Sequence, residues 1–220
     1  MEAIVAGELE QQLEHLTRDF AAQAPGDVVA LMADAMAALA DSGIAGRALS
    51  IGDAMPHFTL PDATGRTVDS RDLLQKGPLV VTFYRGEWCP YCNLQLAALQ
   101  RYLPAIAERG TTLVAIAPTL PDESMNMRQK LNLAFPVLSD VGNRVARQFG
   151  LVYALDARLR PIYAAFGVDL PARNGDDSWE LPLAATYVVT RGGIIAHSFL
   201  TADYRRRLEP ALLLRWLGDL

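Results

Sequence analysis

The chain has only two cysteines among its 220 residues, Cys89 and Cys92, and only three histidines. A scaffold held by disulfides uses more cysteines, spread more widely. A four-ligand zinc site would have to recruit His15, His57 and His197, and none of these stands at ligand spacing from the cysteines. Positive charge is also scarce. Lys and Arg number 20 against 25 Asp and Glu, leaving −5 at pH 7, so no basic face for nucleic acid is expected. No apolar run approaches the roughly 20 residues that cross a bilayer, so no membrane span is expected. The opening MEAIVAGELEQQLEHL lacks the basic-then-apolar pattern of a signal peptide. Together these absences predict a soluble, cytoplasmic protein without a metal.

Hydrophobic residues make up 51% of the sequence, enough to fill a core, and the length suits one domain with an extension. Residues 1–48 read as that extension, and residues 49–220 as the domain. Leu9, Leu13, Leu16 and Phe20 fall on one face of a first helix. Pro25-Gly26 breaks it, and Asp27 is expected to cap a second helix with the stripe Val28, Met32, Ala35, Met36 and Leu39. Either both helices pack on the domain or they build a homodimer interface, because an amphipathic stripe does not say what it meets.

From residue 50 onward, strands and helices alternate. A strand–turn–strand at 56–70 precedes PLVVTFY (78–84), whose continuous apolar run predicts a buried central strand. A helix is expected from Cys89 to about Glu108, a second buried strand at 111–118, a helix at 121–132 and a short strand in FPVLSD. NRVARQFG reads as a short helix with Gly150 as its cap, and 151–166 as extended segments. Residues 171–179 look like a surface loop, 186–200 like a strand–turn–strand unit, and 204–217 like a final helix with Pro210 near its first turn. This order predicts an α/β fold with a mixed sheet flanked by helices.

The two cysteines form the tetrad C-P-Y-C where the central strand passes into a helix. The first turn of a helix has N–H groups without intrahelical partners and the positive end of the macrodipole, and both stabilise a thiolate. A free thiol with pKa of about 8.5 is a few per cent ionised at pH 7, while helix N-terminal C-x-x-C thiols fall to roughly 3.5–7. A drop of about two units corresponds to about 2.7 kcal/mol of differential stabilisation. Residues i and i+3 also share a helix face, within the separation a disulfide tolerates. Cys89, at the exposed edge of the helix start, is favoured as the attacking sulfur, and Cys92, a turn deeper, as the covered one. The plain structural alternative is a pair of ordinary buried cysteines.

The neighbouring residues are candidates in turn. Arg85 lies within reach of a thiolate, or else is a solvated arginine at a strand end. Glu87 reads more readily as a solvated carboxylate than as a proton relay. Trp88, Pro90 and Tyr91 are candidates for shaping a substrate groove, although aromatics at a helix start also serve packing alone. His57 and His197, without a base or ligand set beside them, read as structural.

At FYRGEWCPYCNLQL (83–96) the chain resembles the thioredoxin superfamily. Within it, FPVLSD with NRVARQFGL, and then TYVVTRGGIIAHS, make it most similar to the peroxiredoxin-like branch of the alkyl hydroperoxide reductase/thiol-specific antioxidant family. The C-P-Y-C tetrad itself is similar to that of dithiol glutaredoxins. The resemblance implies a thioredoxin-like fold from about residue 50 onward. On the family pattern P-x-x-x-T-x-x-C, Cys92 takes the place of the peroxide-attacking cysteine, Cys89 that of the threonine and Arg85 that of the proline. The family's arginine before a later strand, like the cis-proline of thioredoxins, would fall near Ala184. Thioredoxin logic makes Cys89 the attacker and peroxiredoxin logic makes it Cys92.

The resemblance implies an antioxidant oxidoreductase that reduces peroxides through a reversible Cys89–Cys92 disulfide. A dithiol or thioredoxin-type partner would restore the thiols, and no bound cofactor would be needed. Two alternatives stay open: a thiol-disulfide oxidoreductase acting on protein or glutathione disulfides, and a redox sensor or interaction module with little turnover.

Overall fold

The first apolar stripe folds as α1 (Glu8–Gln23), with Leu9 and Leu13 buried. The computed structural model describes residues 7–220, so the first six residues of the stretch read for a leader lie outside the described residues. Gly7 caps α1 without a side chain, and the Glu209 carboxylate accepts the Glu10 N–H in its place. An anion at a helix N-terminus is favourable there.

Next comes α2 (Gly26–Asp41), capped by Pro25 and not, as expected, by Asp27. Proline can take the cap because that position needs no N–H, which leaves Asp27 in the first turn. No residue of α2 is buried, but Leu31, Met32 and Ala35 are packed on a small cluster built from Leu155, Leu159 and Tyr163. Ser42 and Gly43, the latter at φ 70°, end the helix as expected and lead into a 3-10 turn, Ile44–Arg47. By length and composition the segment Gly26–Arg47 does reach membrane-spanning dimensions, which corrects the expectation that no run approaches them. Its alanines raise the average hydropathy although Asp27, Asp34 and Asp41 interrupt the run, and Asp34 is paired with Arg158 at 2.8 Å.

A short hairpin, β1 (Thr59–Pro61) and β2 (Thr67–Asp69), precedes α3 (Ser70–Lys76). The apolar run becomes β3 (Leu79–Phe83), buried at every position. It leads through Tyr84–Cys89 into α4 (Pro90–Ala107). Then follow β4 (Thr112–Ala117), α5 (Pro121–Lys130), β5 (Val137–Ser139) and α6 (Arg144–Gln148).

The segment 151–166, expected to be extended, is so only at β6 (Val152–Ala154). A 3-10 turn, Ala157–Leu159, and α7 (Arg160–Ala165) follow. Asp156 accepts the Arg158 N–H and Pro161 stands in the first turn of α7, both ordinary helix-start devices. The expected loop at 171–179 likewise begins as α8 (Leu170–Asn174), capped by Asp169. β7 (Glu180–Pro182), β8 (Ala185–Val189) and β9 (Ile195–Leu200) come next. The last helix, α9 (Pro210–Gly218), starts six residues later than expected. Pro210 is its first residue, and a residue before proline is pushed out of the helical region; Glu209 has ψ 130°.

The central sheet runs β5-β4-β3-β8-β9. β3, β4 and β5 are parallel, while β8 and β9 are antiparallel to their neighbours. One face packs on α1, α4 and α9 through Leu9, Leu13, Leu96, Leu99 and Leu213. The other packs on Phe58, Leu73, Phe149 and Tyr187. The central strand β3 thus delivers residues 84–89 to the C-terminal edge of the parallel strands, where α4 begins.

Leu13 is 5% exposed beneath α1. Leu13→Ala is expected to cost about 2–4 kcal/mol in denaturant unfolding. A loss below about 0.5 kcal/mol, the scale of a surface change, would show that α1 is not part of the packed core.

Candidate active site

Cys89 caps α4, Pro90 is its first residue and Cys92 sits within the first turn. The Cys89 carbonyl accepts the Cys92 N–H at 3.0 Å and the Asn93 N–H at 3.1 Å. Both side chains therefore lie at the positive end of an 18-residue helix. The two thiols are near enough to bias each other's ionisation. Both are free thiols and both are buried, at 1% and 0% exposure.

Two guanidinium groups flank the pair. Arg85 is 2% exposed and Arg207 is 7% exposed. The Arg85 backbone N–H points at the Cys92 sulfur at 3.5 Å, and its Nη1 at the Cys89 sulfur at 3.8 Å. Arg207 Nη2 lies 3.4 Å from the Cys92 sulfur. Its Nη1 is held by the Tyr204 and Arg206 carbonyls, which fixes the side chain in place. Among the described ion pairs neither arginine meets a carboxylate.

This arrangement separates the two thiols. Burial alone would push Cys92 up, but the Cys89 S–H, the Arg207 guanidinium and the Arg85 N–H outweigh it and hold the thiol well below the ordinary range. Burial also pushes Cys89 up, and the hydrogen bond to Cys92 and that sulfur's charge push it further, against the pull of Arg85 and Arg207. Both influences favour placing the negative charge of the pair on Cys92.

Arg85 is not the solvated strand-end arginine of the alternative reading. Its guanidinium lies 4.8 Å from the Trp88 ring centroid and 4.2 Å from that of Tyr204. Nη2 donates to the Tyr163 hydroxyl. Gly86, at φ 148°, makes this possible, because a Cβ there would lie 2.3 Å from Trp88 Nε1. Glu87, expected as a solvated carboxylate, is largely covered and paired with Lys130 and Arg173. Those partners come from α5 and α8, which sequence spacing does not relate to it.

A partly open cavity of about 350 Å³ lies against Cys89. Trp88, Pro90 and Tyr91, the three groove candidates, all line it, together with Phe20, Met32 and Phe166. Tyr91 also shares a 3.1 Å hydrogen bond with Thr17 of α1. The cavity is lined by Cys89 and not by Cys92, so access favours one sulfur and charge the other. His57 bonds Ser70 at 2.8 Å and His197 stacks on Trp216 at 5.0 Å, both outside this cavity. Ala184 is buried in the sheet region. No arginine stands at the position where the resemblance would place one, and Arg207, after β9, is the arginine side chain beside Cys92.

Comparison with known proteins places these features. The AhpC/TSA family profile matches residues 51–198. Peroxiredoxin Q, chloroplastic, of Oryza sativa subsp. japonica is 28% identical over 151 residues, which are 69% of this chain and 59% of the relative. Peroxiredoxin Bcp of Escherichia coli is 31% identical over 103 residues, covering 47% of this chain and 65% of the relative. The chain thus spans less than two thirds of these relatives' length. Peroxidoxin BcpB of Mycobacterium tuberculosis superposes with a TM-score of 0.62 at 22% identity, over 78% of this chain and 98% of that one. A reduced 2-Cys peroxiredoxin of Plasmodium vivax gives 0.60 at 15% identity, over 77% and 81%. The fold is thioredoxin-like, as the resemblance implied.

If Arg207 holds the Cys92 thiolate, Arg207→Met raises the midpoint of thiolate absorbance, read in a Cys89→Ser background, toward the ordinary value of about 8.5. At pH 7 the thiolate fraction then falls to a few per cent. An unchanged midpoint would remove Arg207 from the site.

Proposed function

Because the chain belongs to the AhpC/TSA family, we propose that it is a thiol peroxidase that reduces peroxides through Cys89 and Cys92. The observation that carries this reading is geometric: the Arg207 guanidinium lies 3.4 Å and the Arg85 N–H 3.5 Å from the Cys92 sulfur, an arrangement that favours a thiolate there. A thiolate is the species that attacks a peroxide.

The Cys92 thiolate attacks one peroxide oxygen and the O–O bond breaks. Cys92 becomes a sulfenic acid and the other oxygen leaves as an alkoxide or hydroxide. Cys89 is the nearest proton donor and gives its S–H proton to that leaving oxygen. The Cys92 charge that opposed Cys89 ionisation is then gone, and Arg85 at 3.8 Å becomes the partner of the new Cys89 thiolate. Cys89 attacks the Cys92 sulfur, hydroxide leaves as water once protonated, and the disulfide closes. An external dithiol, of thioredoxin type, returns two electrons and two protons by exchange. This assigns attack to Cys92, where the peroxiredoxin pattern puts it, and resolution to Cys89, against the expectation from exposure.

The same reading gives Trp88, Pro90 and Tyr91 the role of shaping the peroxide's approach, since all three line the cavity beside Cys89. It places the enzyme in a reducing compartment, the cytoplasm, where the thiols are regenerated. A homodimer through the N-terminal helices would use the outer face of α2, because α1 is packed against α4.

Stopped-flow peroxide reaction of the wild type and of each cysteine variant tests this. Cys92→Ser is expected to lose the reaction. Cys89→Ser keeps the first step and loses disulfide formation and turnover. Fast reaction in Cys92→Ser, with none in Cys89→Ser, would reverse the assignment. Insulin reduction without peroxide consumption would favour the disulfide oxidoreductase instead.

A further inference from the structure

The sulfur site has an excess of buried positive charge. Two guanidinium groups lie at 2% and 7% exposure, and one thiolate faces them. Once the Cys89–Cys92 disulfide has closed, neither cation has an anion. Removing a cation from water costs several kcal/mol unless an anion or equivalent polar group meets it. The aromatic faces around Arg85 offset part of that cost, but its Nε has no hydrogen-bond partner among the described residues.

Arg85 is also the residue around which the open space is arranged. The cavity of about 350 Å³ beside Cys89 adjoins a second of about 280 Å³ beneath α2, and Arg85, Met32, Tyr163 and Tyr204 line both. The first is walled by Phe20, Phe166 and Val168, and the second by Leu39, Leu155 and Leu159. Both are walled mainly by apolar side chains and share one buried arginine; the one carboxylate in the second, Asp156, is paired with Arg158. Cavities of this size enclose small organic ligands, with hydrophobic contact giving affinity and a few polar groups giving orientation. Phe20, Met32 and Leu39 come from α1 and α2, outside the segment the family profile matches, so the N-terminal helices supply the roof.

We propose that these adjoining cavities bind an apolar carboxylate, its hydrocarbon body under α1 and α2 and its carboxylate against the Arg85 guanidinium, which lines both. Guanidinium and carboxylate are matched in geometry and charge. The flexible Met32 at the junction suits hydrocarbon bodies of varied shape. This deepens the peroxidase reading by naming a ligand class for the same site, and it rests on that reading only for the identity of the reacting sulfur.

Octanoate and octanol, which share a chain and differ in charge, are the probes. Calorimetric titration of the reduced full-length protein is expected to give octanoate an affinity roughly tenfold or more above that of octanol, the scale of a charge-assisted hydrogen bond. Arg85→Met is expected to bring octanoate down to the octanol level. Should that variant not fold, Met32→Trp fills the junction without touching the arginine and is expected to weaken both probes. Equal affinity for the two probes, binding of neither, or unchanged octanoate binding in Met32→Trp would overturn the proposal. A protein that prefers octanoate yet does not consume peroxide would keep this site and lose the peroxidase reading. One that consumes peroxide without preferring octanoate would do the reverse.

Discussion

Two arginine side chains, one from the end of the central strand and one from the loop after the last strand, lie buried against the same pair of sulfur atoms. Much of the local architecture follows from accommodating them. A buried guanidinium carries a desolvation cost of several kcal/mol. Around Arg85 that cost is offset in part by the Trp88 and Tyr204 rings, the Tyr163 hydroxyl and the Cys89 sulfur. Around Arg207 it is met by two backbone carbonyls and the Cys92 sulfur. A desolvated cation–π contact contributes up to about 2 kcal/mol, so the rings are electrostatic partners as well as packing. The helix N-terminus adds to the same field, and together these groups decide which of two adjacent thiols carries the charge.

The tetrad at the start of α4 is a dithiol motif, able to close on itself. The surrounding charge favours the deeper sulfur, with Arg207 Nη2 3.4 Å from Cys92. Cys89 falls where the family pattern carries a threonine, and in the proposed mechanism it resolves the sulfenic acid. The usual arginine position is taken by Ala184, and Arg207 reaches the same sulfur from another part of the chain. A loop that can present a guanidinium to Cys92 is enough, because the requirement is a cation at a point and not a residue at a position.

Much of this was legible in the sequence. The apolar run at 78–84, the proline after Cys89 and the i, i+3 spacing placed the dithiol at a strand-to-helix junction, and the structure has it there. The sheet followed from local patterns of apolar residues and turn glycines. The misjudged segments, 151–166 and the start of the last helix, are short elements set by single caps and prolines, where periodicity has too few residues to register. The role of Arg207 was not legible, because it stands 115 positions from Cys92 and beside Arg205 and Arg206 it looks like a solvated charge run. The cavity roof escaped for a similar reason. The stripe on α2 gave its apolar face but not that Met32 would overhang a sulfur site.

The account therefore comes down to which sulfur is ionised. The direct measurement is a pH titration of protein carrying ¹³C at the cysteine β-carbons, with each resonance assigned through the single Ser variants. The Cys92 resonance is expected to shift first, below the ordinary thiol range, and that of Cys89 only above it. Ionisation of Cys89 first, with Cys92 still protonated, would contradict the charge placement on which the mechanism is built.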